Sequence, residues 1–120
     1  LCAPKVLKAS YQSVMREDLF FAGQLSGVEG YIESAASGML AGLNMANLWY
    51  GREAVELPAT CVVGSMAQYI THADPRYFQP MNANFGLMHL QTPAKKKERK
   101  EALAKQALQV IREAKERLFV

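Results

Sequence analysis

Three glycines, Gly23, Gly27 and Gly30, stand among Gln24, Val28, Glu29 and Tyr31 in the run GQLSGVEGY. Glycines at this density leave backbone uncovered by side chains, so a ligand can come close to peptide N–H groups. The chemistry on offer is hydrogen bonding to a negative or partly negative group. It is strengthened if a helix begins at Tyr31, because a helix N-terminus carries partial positive charge. Gln24 adds a donor and an acceptor, and Tyr31 an aromatic face with a hydroxyl. Glu29 and Glu33 suit the positive helix end but repel a diphosphate lying on it. A carbonyl that gains charge, such as that of a flavin, fits better. The spacing is not GxGxxG, and no acidic partner lies downstream at the required distance, so the glycines alone are a weak sign of dinucleotide binding. A plainer reading stands beside the chemical one: glycines make a tight turn and small residues let a helix press against a sheet.

The elements that must position these residues are legible on either side. Leu19, Phe20, Phe21 and Ala22 read as a short buried strand over 19–22, the glycine turn runs over 23–30, and a helix rich in Ala and Gly spans 31–50 with Gly51 as its stop. Residues 1–18 read as an irregular lead-in around Pro4. A second helix is expected over 58–70, with Pro58 in its first turn and Val62, Met66, Tyr69 and Ile70 on one face. Residues 71–93 hold Pro75, Pro80 and Pro93 yet keep Tyr77, Phe78, Met81, Phe85 and Leu87. That is an apolar loop that must fold onto a neighbour. From Ala94, a stripe of Leu103, Ala107, Val110, Ile111, Ala114 and Leu118 predicts an amphipathic helix. Two parts follow, 1–93 and a basic helical part 94–120, mostly α with one short strand. The six methionines read as core filler.

The 120 residues, half of them apolar, suit one domain with a modest core, and the formal charge of +3 is unevenly spread. Residues 95–120 carry nine bases against four acids, a net of +5, which leaves −2 for the rest. Lys95, Lys96, Lys97, Arg99 and Lys100 open that segment. Such a block suits phosphate backbones, and equally suits a solvated helix face. Cys2 and Cys61 belong to no metal-spaced cluster; they allow one disulfide, though reduced thiols suit an intracellular chain better. His72 and His89 stand alone in expected loops, where solvation is the common fate, so neither a metal site nor a catalytic residue is assigned. No nucleophile–base pair, carboxylate dyad or P-loop is present. The apolar runs are too short or too interrupted to span a bilayer, which points to a soluble protein. The start at Leu1, without methionine or a signal-peptide pattern, suggests a processed protein or an excised fragment.

Residues 19–46, LFFAGQLSGVEGYIESAASGMLAGLNMA, resemble the C-terminal FAD-binding motif of the folate- and FAD-dependent tRNA (uracil-5-)-methyltransferases. APKVL at 3–7, FQPMNANFGL at 78–87 and KKKERKEALAKQAL at 95–108 resemble further stretches of that family, in the same order. The glucose-inhibited division protein A enzymes share the GQ…G..GY framework, but usually carry a threonine pair where this chain has Val28 and Glu29.

The resemblance implies a C-terminal piece, about the last quarter, of a two-lobed α/β FAD-binding flavoprotein. It implies that Gly23, Gln24, Gly27, Val28, Glu29, Gly30 and Tyr31 face FAD, and that the basic helix meets tRNA. The parent activity would place a methyl group on C5 of the T-loop uracil, using methylenetetrahydrofolate and flavin reduced by NAD(P)H, in the cytoplasm. The family's N-terminal nucleotide motif and its catalytic cysteines have no counterpart here, so the chain alone is expected to be inactive. Its exposed strand and small-residue helix face would favour self-association. A small helical RNA- or partner-binding module without flavin is the alternative.

Overall fold

The computed structural model describes residues 2–82 and 98–118. Four α-helices carry the described chain: α1 (Ala3–Val6), α2 (Tyr31–Trp49), α3 (Val62–His72) and α4 (Arg99–Leu118), with one 3-10 turn at Gly23–Ser26 before α2. Lys95, Lys96, Lys97, His89 and residues 83–87 of the second signature lie outside the described residues.

Residues 7–22 form a folded-back ribbon held by isolated bridges. Leu7 pairs antiparallel with Ser13, and Gln12 with Phe20. Phe21 N–H donates to Tyr11 O at 3.0 Å and Ser13 N–H to Leu19 O at 2.8 Å. The strand expected over 19–22 is therefore reduced to a single bridge among the described residues. Its apolar residues are extended and ready to pair, but too few neighbours are present to build a ladder. Tyr11 sits at the bend of this ribbon with φ of 68°, and its side chain is buried.

α2 begins after Gly30 and ends in a paired stop: Gly51 N–H donates to Leu48 O, and Arg52 N–H to Asn47 O at 2.7 Å. With Gly51 left-handed at φ 77°, this is a Schellman ending, as the glycine after a helical run suggests. α3 starts at Val62, four residues later than the sequence pattern proposes, and runs two residues further. Cys61 explains the shift. Its sulfur accepts from Gly64 N–H at 3.3 Å as the cap, while the thiol meets Pro58 O at 3.4 Å, so residues 58–61 form a separate turn.

The core lies where α2, α3 and the ribbon meet, with Tyr11, Leu40, Leu57, Met66 and Ile70 buried together, and Ala114 and Leu118 of α4 closing one side. The α4 stripe holds at Leu103, Ala114 and Leu118, which are buried, while Ile111 is exposed. Gln106 Nε2 of α4 donates to Thr60 O at 2.9 Å, fastening that helix to the turn before α3. Met66 packs inside as expected of a filler. Met15, Met39 and Met45 do not: they are exposed.

Candidate functional site

The glycine bend is fixed from two directions. From α2, Ser37 Oγ accepts from Gly23 N–H at 2.8 Å and donates to Ser34 O. Ser26 Oγ closes the 3-10 turn by donating to Gly23 O at 2.7 Å. From the far loop, Met81 pairs in parallel with Val28: Glu29 N–H donates to Met81 O, Met81 N–H donates to Gly27 O, both at 3.2 Å, and Asn82 Nδ2 donates to Glu29 O at 2.9 Å. The described part of FQPMNANFGL thus serves as a brace for the bend. Nothing in the local sequence announces this pairing across more than fifty residues.

Gly23, Gly27 and Gly30 all take positive φ, at 70°, 102° and 106°. Left-handed backbone of this kind is strained for a side chain whatever the space around it. The space is also partly filled. The Phe78 ring lies 2.5 Å from where a Cβ on Gly27 would stand, and it stacks on Tyr69 of α3 with centroids 6.0 Å apart. The Glu33 carboxylate and the Asn82 amide occupy the place of a Cβ on Gly30. The expectation of open backbone at Gly27 is therefore corrected: an aromatic side chain from the following loop covers it. Val28 is fully buried, so its side chain packs in the core.

The seven residues singled out from the sequence separate into two sets. Gly27 and Val28 are interior and hold the bend together. Gln24, Glu29 and Tyr31 are exposed, with Gly23 and Gly30 half-buried between them. Gly30 precedes α2 and has no side chain with which to cap the first-turn amides, and the Glu33 carboxylate lies against it. Around this end stand Leu25, Tyr31 and Ile32, exposed by 56%, 98% and 82%. Three large apolar side chains on one rim form a surface that water solvates poorly. Sequence reading missed Leu25 and Ile32, although both flank the glycines.

Tyr11, Ile32, Ala36, Val62, Val63 and Met66 line an apolar cavity of about 100 Å³ behind the bend. The other titratable candidates are structural. Cys61 is a buried cap whose thiol is pushed up by burial. His72, expected in a loop, is the last residue of α3, with Nδ1 3.0 Å from Gln68 O. Cys2 and Cys61 are free thiols. Of the basic block, Arg99 and Lys100 are described; both are exposed at the start of α4, where their charges add to the positive end of the helix. No helix among the described residues is long and apolar enough to cross a membrane.

Comparison with known proteins gives a consistent picture. The family profile of glucose inhibited division protein A matches residues 1–53. The methylenetetrahydrofolate–tRNA-(uracil-5-)-methyltransferase TrmFO of Enterococcus faecalis is 59% identical over 111 residues, 90% of this chain and 25% of that protein. The TrmFO of Brevibacillus brevis is 57% identical over 91% of the chain and 25% of its own length. That of Exiguobacterium sp. is 53% identical over 95% of the chain and 27% of its own length. The chain spans about a quarter of the curated relatives it matches.

Proposed function

We propose, for a chain that belongs with the methylenetetrahydrofolate–tRNA-(uracil-5-)-methyltransferases as a segment about a quarter of their length, that it is the FAD-contacting, C-terminal portion of such an enzyme. The observation that carries this reading is the rim of the bend. A left-handed glycine, with no side chain of its own, leads into the helix beside exposed Leu25, Tyr31 and Ile32.

These residues fit one part of FAD better than another. The carboxylates of Glu29 and Glu33 stand at the same helix end, so a diphosphate is disfavoured there. A ring carbonyl is suited to the amides of Gly30 and Tyr31, with Leu25, Tyr31 and Ile32 excluding water from the ring. FAD reduced by NAD(P)H would supply the electrons that turn the methylene group of methylenetetrahydrofolate into the methyl group on a tRNA uracil. The chain's own contribution is electrostatic: peptide dipoles aimed at a group whose negative charge grows. Gln24, exposed beside them, can donate to or accept from the same ring edge.

The start of α4 takes the other role. Arg99 and Lys100, with Lys95, Lys96 and Lys97 before them, would hold tRNA phosphates, whose charge they match. The family's catalytic cysteines have no counterpart in this sequence, so the 120 residues alone would be inactive and would cover their bare surfaces by self-association. The complete protein would act in the cytoplasm.

The test is Tyr31→Ala in the full-length protein. Tyr31 is 98% exposed in this segment, and the melting temperature of the apoprotein, measured alongside, separates a loss of flavin contact from a loss of stability. Flavin affinity should fall by roughly tenfold, as expected when an aromatic face beside the ring is removed. Undiminished flavin retention would contradict the siting.

A further inference from the structure

The two sides of α2 have opposite surroundings. Leu40, Ala41, Asn44 and Asn47 are buried against α3, α4 and the ribbon. On the other side Ile32, Ala35, Met39, Gly42, Ala46 and Trp49 are all exposed, Met39 by 60% and Trp49 by 86%, with Ile32 at the edge of that side, where it also lines the cavity against α3. Their spacing alternates between three and four residues, so they form one straight seam about 25 Å long. Glu33 is the single charged residue in the nineteen of α2, and it lies off the seam. The contrast within the same chain is sharp. The exposed positions of α4 are mostly Lys, Arg, Glu and Gln, which is how a helix face that stays in water is built.

The seam has a shape as well as a polarity. Its ends carry Ile32 and Trp49, while its middle is small: Ala35, Gly42 and Ala46, with Gly38 beside them. A Cβ built on Gly38 or Gly42 would meet nothing within 4 Å. A partner's backbone can therefore come close to the helix axis at mid-length and be gripped by larger side chains at both ends.

We infer that this seam is an internal interface, covered in the complete protein by an uncharged face of the polypeptide that makes up the other three-quarters of its length. The relatives that match this chain are about four times as long as the matched segment, so a large body of the same chain is there to occupy the seam. The seam also begins at Ile32, on the rim of the glycine bend. A second copy of the protein is a poorer occupant. It would have to reach a face beside which most of its own chain already lies.

The inference rests on the family reading and is independent of the flavin site, so the two can fail separately. The test uses the full-length protein with Ala35→Cys, a change of one atom on the seam, and Gln109→Cys on the exposed side of α4 as control. Thiol labelling is read residue by residue by peptide mass spectrometry, with and without FAD. The expected result is that position 35 reacts roughly 100-fold more slowly than position 109 in both states, and that dilution leaves the protection unchanged. Equal labelling at the two positions would overturn the inference. Protection that disappears on dilution, together with a dimer in light scattering, would overturn it in favour of a second copy. Protection that exists only with FAD would overturn it in favour of cofactor coverage. Gly42→Glu adds a second readout: it should lower the melting temperature of the full-length protein by about ten degrees, against a negligible change for Gln109→Glu. Equal melting temperatures would count against the interface.

Discussion

The side chain of Asn44 pairs with the backbone of Val55 as a strand would. Its Oδ1 accepts from Val55 N–H at 2.7 Å, and its Nδ2 donates to Val55 O at 2.9 Å. The same Nδ2 also donates to Ser10 O at 3.1 Å. One fully buried amide therefore ties the middle of α2 both to the ribbon and to the segment after the helix. This is what holds the buried face of α2 inward and leaves the seam outward.

Replacing Asn44 with Leu should cost about 2 to 4 kcal/mol, because three buried backbone groups lose their partner while the volume is kept. Chemical denaturation of wild type and variant checks this. Asn44→Asp keeps the acceptor, removes both donors and buries a charge, and should be no better tolerated.

Tyr11 gives the fold an alkaline limit. Burial pushes its phenol from 10.0 in the open chain to about 12. Unfolded chains thus release this proton first. The contribution is complete below pH 10, falls by about 1.4 kcal/mol per pH unit above it, and is spent as pH passes 12. Tyr11→Phe should flatten stability between pH 10 and 12 relative to wild type. An identical alkaline decline in the variant, read from denaturation midpoints, would assign the loss to other groups.

For the basic segment, changing Lys95, Lys96, Lys97, Arg99 and Lys100 together to Gln in the full-length protein should weaken tRNA binding. The slope of log affinity against log salt should become shallower by roughly 0.7 to 0.9 for every phosphate that is no longer neutralised, with flavin content unaltered. An unchanged slope would make the segment a solvated face.

Much of the architecture was readable in the residues, because it depends on neighbours close in sequence. The start of α2 after Gly30, its stop at Gly51 and the stripe of α4 all follow from local patterning. What escaped depends on distant partners. LFFA has the composition of a strand, but a strand needs neighbours to pair with, and the described chain offers Phe20 only Gln12. Phe78 over Gly27 could not be anticipated, since the bend and the loop are far apart along the chain. A glycine such as Gly64 ordinarily weakens a helix. In the fold, the backbone carbonyls of Leu57 and Pro58 press on the first turn of α3, Leu57 O lying 2.8 Å from where a Cβ would stand. The glycine is what allows α3 to sit there. The candidate site was legible as a place, while its division into braced interior and exposed rim was not.

The central claim is that the backbone at the start of α2, from Gly30 to Ile32, meets FAD, and amide hydrogen exchange on the full-length protein tests it most directly. With FAD bound, the amides of Gly30, Tyr31 and Ile32 should exchange at least about tenfold more slowly than in the apoprotein, and those of α4 at the same rate. Equal exchange at Gly30, Tyr31 and Ile32 in the two states, while exchange slows elsewhere in the protein, would contradict the account.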